Sequence, residues 1–153
     1  MKALIALASL AVVVCLIPLQ ASAALGGDTA SVEVDSARMK GSREVKQEAA
    51  YAVHQLKSDS GTVVREYISP AGNVFAVTWQ GQFVPDMQQL LGSYFEQYSA
   101  AVRVNRETHV GRRPLSLQLP GLVVETNGYM RHYHFRAYIP QQVPAGVRQE
   151  EMQ

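Results

Sequence analysis

This 153-residue chain has a single cysteine, Cys15, inside an apolar stretch at its start. Lys2 precedes the stretch, Ala3 to Pro18 carries no charge, and Ala21-Ser22-Ala23 is an A-x-A pattern of small residues. That layout predicts a secretory leader, residues 1–23, cleaved before Ala24. The run is shorter than the ~20 apolar residues of a spanning helix, so no membrane span is expected after cleavage. Val14 rather than a small residue precedes Cys15, so Cys15 reads as filler of the apolar region and not as a lipid anchor. The mature chain then has no cysteine, which excludes disulfides, thiolate zinc sites and cysteine nucleophiles. Such a chain depends on its hydrophobic core, and ~130 residues suffice for one domain that buries roughly two thirds of its unfolded surface.

An excess of one charge is also missing. Removing Lys2 from the fourteen Lys and Arg leaves thirteen, against thirteen Asp and Glu. This neutrality argues against a specific nucleic-acid partner and leaves room only for a local basic patch. There is no G-x-S-x-G elbow and no H-E-x-x-H pair, and Gly26-Gly27 lacks the later Gly-Lys-Ser/Thr of a phosphate loop. Internal repeats and low-complexity tracts are absent.

What is present reads as strands around one helix. Residues 24–50 form a polar segment, with a short helix expected from Asp28 through Met39 and flexibility at Gly26-Gly27. Tyr51 to Lys57 is the first strand, and Ser58-Asp59-Ser60-Gly61 is a turn. In the second strand, Thr62 to Ser69, Val64, Glu66 and Ile68 share one face, and Val63, Arg65 and Tyr67 the other. After Ser-Pro-Ala-Gly-Asn comes the third, Asn73 to Gln80. Phe75, Val77 and Trp79 are expected on one side, and Val74, Ala76 and Thr78 on the other. Both sides are apolar or small, which suits a central strand. Met87, Leu90, Leu91, Tyr94, Phe95 and Tyr98 then recur at helical spacing, behind an Asp86/Gln89 capping box.

Leu115 to Thr126 is expected as one strand interrupted at Pro120-Gly121, where the break marks a bulge, a bend or an edge. Asn127-Gly128 predicts a hairpin turn, and Tyr129 to Ile139 the last strand. The fold class is therefore α+β: an antiparallel sheet of about five strands, made of a three-strand meander, a helix and a two-strand hairpin. A single domain is expected over residues 51–140, followed by a polar tail, 141–153.

The same residues carry a resemblance. The leader followed by Ala24-Leu25-Gly26-Gly27, the run from Ser60 to Gly72, Phe75-Ala76-Val77-Thr78-Trp79, Pro85-Asp86, Leu90-Leu91-Gly92 and Tyr94-Phe95 resemble the bacterial domain-of-unknown-function 2844 family. Met130-Arg131 and Arg136 to Pro140 are similar to it as well. The resemblance implies a single-domain exported bacterial protein and transfers no catalytic or binding residue.

Candidate sites come from the residues alone. His132 and His134, at i and i+2, emerge on one face of a strand and are the metal-ligand candidates, with a polar solvent face as the simpler reading. Arg103, Arg106, Arg112 and Arg113 are the candidates for an anion or partner, with an exposed loop or edge as the simpler reading. Trp79, Tyr67, Tyr94, Tyr98, Tyr133 and Tyr138 are either core or the lining of a groove. Glu66 with Arg65, and Asp86 with Glu96, show no spacing that singles them out as acid–base pairs. No catalytic residue, cofactor or metal is assigned. The function expected is a non-enzymatic binding or accessory module of the bacterial envelope, periplasmic or secreted, with an envelope protein or polymer as partner. The alternatives are an envelope enzyme and a His-based metal-binding protein.

Overall fold

The computed structural model describes residues 25–28, 41–108, 114–129 and 132–153. Seven strands form one antiparallel sheet: β1 (Ser42–Gln47), β2 (Ala52–Lys57), β3 (Val63–Ile68), β4 (Val74–Gly81), β5 (Leu115–Leu119), β6 (Leu122–Tyr129) and β7 (His132–Tyr138). Their spatial order is β1-β2-β3-β4-β7-β6-β5, which puts β4 in the middle. Between β4 and β5 runs a helical arm of α1 (Met87–Leu91), a 3-10 turn (Gly92–Tyr94) and α2 (Phe95–Thr108). The class is α+β, as the strand and helix patterns require.

The sheet has seven strands rather than about five, for two reasons. Residues 42–47 form an edge strand exposed along its whole length. With charges on both faces it has no apolar alternation to betray it. Second, Pro120-Gly121 reverses the chain instead of interrupting a strand: Leu119 pairs with Leu122, and Gly121 takes φ 71°. Only glycine adopts that angle without strain. Conversely, Asn127-Gly128 is not the turn. Asn127 pairs with His134 and Gly128 with Tyr133. Glycine is needed at 128 because a Cβ there would meet Tyr133 Cδ1 at 2.6 Å. The helix expected over 28–39 lies largely outside the described residues.

β4 assigns its side chains differently from a simple alternation. A register shift between Tyr67 and Ile68 places Ile68 opposite Val74. This bulge sends Val74 to the side of Val77 and Trp79, and Phe75 to the side of Ala76. Every residue from Val74 to Trp79 is buried.

Two layers cover the sheet. On one face the arm packs Leu90 and Leu91, with Met87, Tyr94, Phe95 and Tyr98, against Val64, Val77, Trp79, Val124 and Phe135. Asp86 caps α1 by accepting from Gln89 N at 3.0 Å. The single helix expected is broken at Gly92, whose φ of 50° ends α1. Its apolar stripe survives the break. Leu25 enters the same core, and Gly26-Gly27, expected to be flexible, is held by Gly26 N to Val74 O at 2.8 Å and Val74 N to Gly27 O at 2.9 Å.

The opposite face is covered by the segment expected to end the fold as a polar tail. Residues 140–153 turn back over the sheet, and Met152, 1% exposed, packs among Tyr67, Phe75, Ala76 and Tyr138. One apolar side chain in a polar hexapeptide carries no periodicity, so only the structure reveals this layer. The ordered unit thus extends past 51–140 at both ends.

Leu91→Ala empties a fully buried site under the arm. It is expected to destabilise by about 2–5 kcal/mol, while Val45→Ala on the exposed edge changes stability by less than about 0.5 kcal/mol. Denaturant melts of the two variants check the contrast.

Candidate binding clefts on the two faces of the sheet

The row Val64, Trp79, Phe135, Thr126 and Leu115 crosses the arm-side face. Trp79 stacks on Phe135 with centroids 6.2 Å apart and planes 16° apart. Tyr98, from α2, meets Phe135 edge-on at 5.9 Å. Beside this trio lies a cleft of about 520 Å³, bounded also by Val84, Arg106, Tyr133 and His134. The indole Nε1–H of Trp79 is buried and has no hydrogen-bond partner among the described residues. An unpaired buried donor costs about 1–3 kcal/mol, so it marks a place where an acceptor is missing.

On the tail-side face the corresponding row is Arg65, Thr78, Arg136, Glu125 and Ser116. Arg136 donates through both Nε and Nη2 to Glu125 Oε2, with the Nε contact at 2.9 Å. A cavity of about 490 Å³ sits here, lined by Thr78, Gln80, His134, Arg136, Met152 and others. Beyond the tail, a second cavity of about 250 Å³ is lined by Lys46, Tyr51, Arg65, Tyr67, Glu151 and Gln153.

A third polar group sits within the arm-side core, and sequence reasoning passed over it. Glu66 is fully buried and stands opposite His54, also buried. Arg43 Nη2 lies 2.8 Å from His54 Nδ1. A guanidinium has donors only, so Nδ1 accepts and His54 is neutral with its proton on Nε2. A carboxylate between Val64 and Ile68 on an apolar strand face was the available signal.

The model of the family described as "Protein of unknown function (DUF2844)" matches residues 21–152. The chain belongs to the DUF2844 family. No curated protein and no solved structure matches it.

The fold brings some of the candidate residues to one cleft and separates the others. Arg106 lines the arm-side cleft and Arg103 is exposed on the same helix. Both stand on α2 rather than on the loop or edge expected, because the helix continues to Thr108. Arg112 and Arg113 lie outside the described residues. His134 borders both the cleft and the tail-side cavity, and His132 is exposed at the start of β7. Among the described residues, no three His, Cys, Asp or Glu side chains are grouped to hold a metal ion. Of the six aromatics, Trp79, Tyr98 and Tyr133 line the arm-side cleft. Tyr67 and Tyr138 lie under the tail, and Tyr94 packs in the arm-side core.

Burial pushes the phenols of Tyr67, Tyr98 and Tyr138 above the ordinary 10.0, with the Glu125 carboxylate adding to the rise at Tyr138. A raised folded-state value means that the unfolded chain loses its phenol protons first. The stabilising contribution is therefore complete below the ordinary value and is lost as pH rises through the folded-state values. A phenolate absorbance titration is expected to show these tyrosines ionising later than free tyrosine. The denaturant midpoint is expected to fall over the same alkaline interval.

Proposed function

We propose that this DUF2844 chain is an exported, non-enzymatic binding module of the bacterial envelope, and that it holds an anionic group of an envelope protein or polymer in the arm-side cleft. The observation that carries this reading is the placement of Arg106 on the same cleft as the aromatic side chains of Trp79, Tyr98 and Phe135. A guanidinium grips an anionic oxygen pair bidentately. Trp79, Phe135 and Tyr98 offer flat apolar surface to the body of the same ligand. Exposed Phe83 and Val84, at 60% and 63%, widen the apolar rim next to it.

Export is supported by Lys2, the uncharged run Ala3 to Pro18 and Ala21-Ser22-Ala23. The family match starts at residue 21, after that run. Among the described residues no helix is long and apolar enough to cross a membrane. The destination proposed is therefore the periplasm or the medium. An envelope enzyme is the second reading, favoured by Ser116, Glu125 and His134 bordering one cavity.

Crosslinking in intact cells with the mature chain is expected to capture an anionic partner. Arg106→Glu should weaken capture at least about tenfold, the equivalent of ~1.4 kcal/mol, and high salt should weaken it as well. No recovered partner, together with turnover of a substrate panel that Ser116→Ala abolishes, would replace the module by the enzyme.

A further inference from the structure

The tail is attached to its face of the sheet in an unusual way. No strand pairing among the described residues involves residues 140–153. Instead, side chains rising from the sheet take hold of the tail's backbone oxygens. Tyr67 Oη donates to Gln153 O at 2.9 Å and Arg65 Nη1 to the same oxygen at 3.0 Å. Arg136 Nη1 donates to Gln149 O at 2.5 Å and to Met152 O at 3.3 Å. Gln149 Nε2 donates to Tyr138 Oη at 2.5 Å. Within residues 148–153 the apolar anchor is Met152, set among Tyr67, Phe75 and Tyr138, and Val143 earlier in the tail packs against the same cluster. Gln153 also lines both tail-side cavities, so the end of the tail separates two hollows of about 490 and 250 Å³ on one face.

These are the features of a peptide-binding surface: donors aimed at main-chain carbonyls, a single pocket for an apolar side chain, and open space on either side. Carbonyl recognition is indifferent to the identity of the side chains, so the grip on the tail fits any extended segment with an apolar residue in register. We propose that the tail-side face binds extended peptides and that residues 148–153 are its built-in occupant, released when a competing peptide takes the Met152 pocket. The smaller hollow is lined by Lys46 and Arg65 but also by Glu44 and Glu48, and Lys46 pairs with Glu48 at 2.6 Å, so selection rests on the apolar anchor rather than on charge. This surface lies opposite the arm-side cleft and does not depend on what that cleft holds.

The test uses a labelled peptide with the sequence of residues 148–153. It is expected to bind a chain truncated after Val147 at least about tenfold more tightly than the full chain, whose tethered tail competes at millimolar effective concentration. The full chain carrying Met152→Asp should bind it as the truncated chain does, and the peptide carrying the same change should bind neither. If truncation unfolds the chain, excess peptide is expected to restore a cooperative melting transition. Equal binding to full and truncated chains, equal binding by the altered peptide, or a truncated chain that excess peptide leaves unfolded would each overturn the proposal.

Discussion

A central strand that is apolar on both sides governs this structure. From Val74 to Trp79 every residue of β4 is buried and all but Thr78 are apolar, so a sheet built around it needs a cover on each face. The cover on one face is the helical arm, which follows β4 directly. The other is the tail, which arrives only after three more strands have been laid down. The bulge after Tyr67 divides the load between the covers, sending Phe75 to the tail and Val74 to the arm.

The two covers work by different physics. The arm is held by a broad aromatic and aliphatic stripe, a non-directional attachment that scales with buried area. Its close packing explains why the chain tolerates a helix break at Gly92: Leu91 on one side of the break and Phe95 on the other still reach the same core. The tail is held by few, directional contacts from Arg65, Tyr67 and Arg136, plus the apolar side chains of Met152 and Val143. Hydrogen bonds of this kind contribute about 0.5–3 kcal/mol each, the guanidinium ones toward the upper end, because water competes for both partners. The exchange proposed for the tail side rests on this difference.

Much of the fold was legible in residue order. The meander of β2, β3 and β4, the capped helix and the central position of β4 follow from alternation, turn chemistry and helical spacing. The misses have separate physical causes. β1 carries charge on both faces, so nothing distinguishes it from a solvated segment. At Pro120-Gly121 and Asn127-Gly128, local glycine chemistry pointed to the wrong pairing, because the close approach of Tyr133 used the second glycine for space and not for turning. The candidate sites were less legible. Arg106 and Trp79 were both singled out, but their meeting in one cleft depends on how α2 crosses the sheet. The anchoring role of Met152 depends on a chain reversal that no local pattern encodes.

Leu25 and Met152, near opposite ends of the sequence, each seal one face of the sheet. Neither layer can close early in synthesis. The pairing of β4 with β7 waits for residue 138, and the tail-side seal waits for residue 152. Until then β4 remains an unfinished strand with an open edge, a state that collects misfolding partners rather than native contacts. Both covers of β4 are therefore completed only once the last strands and the tail are present.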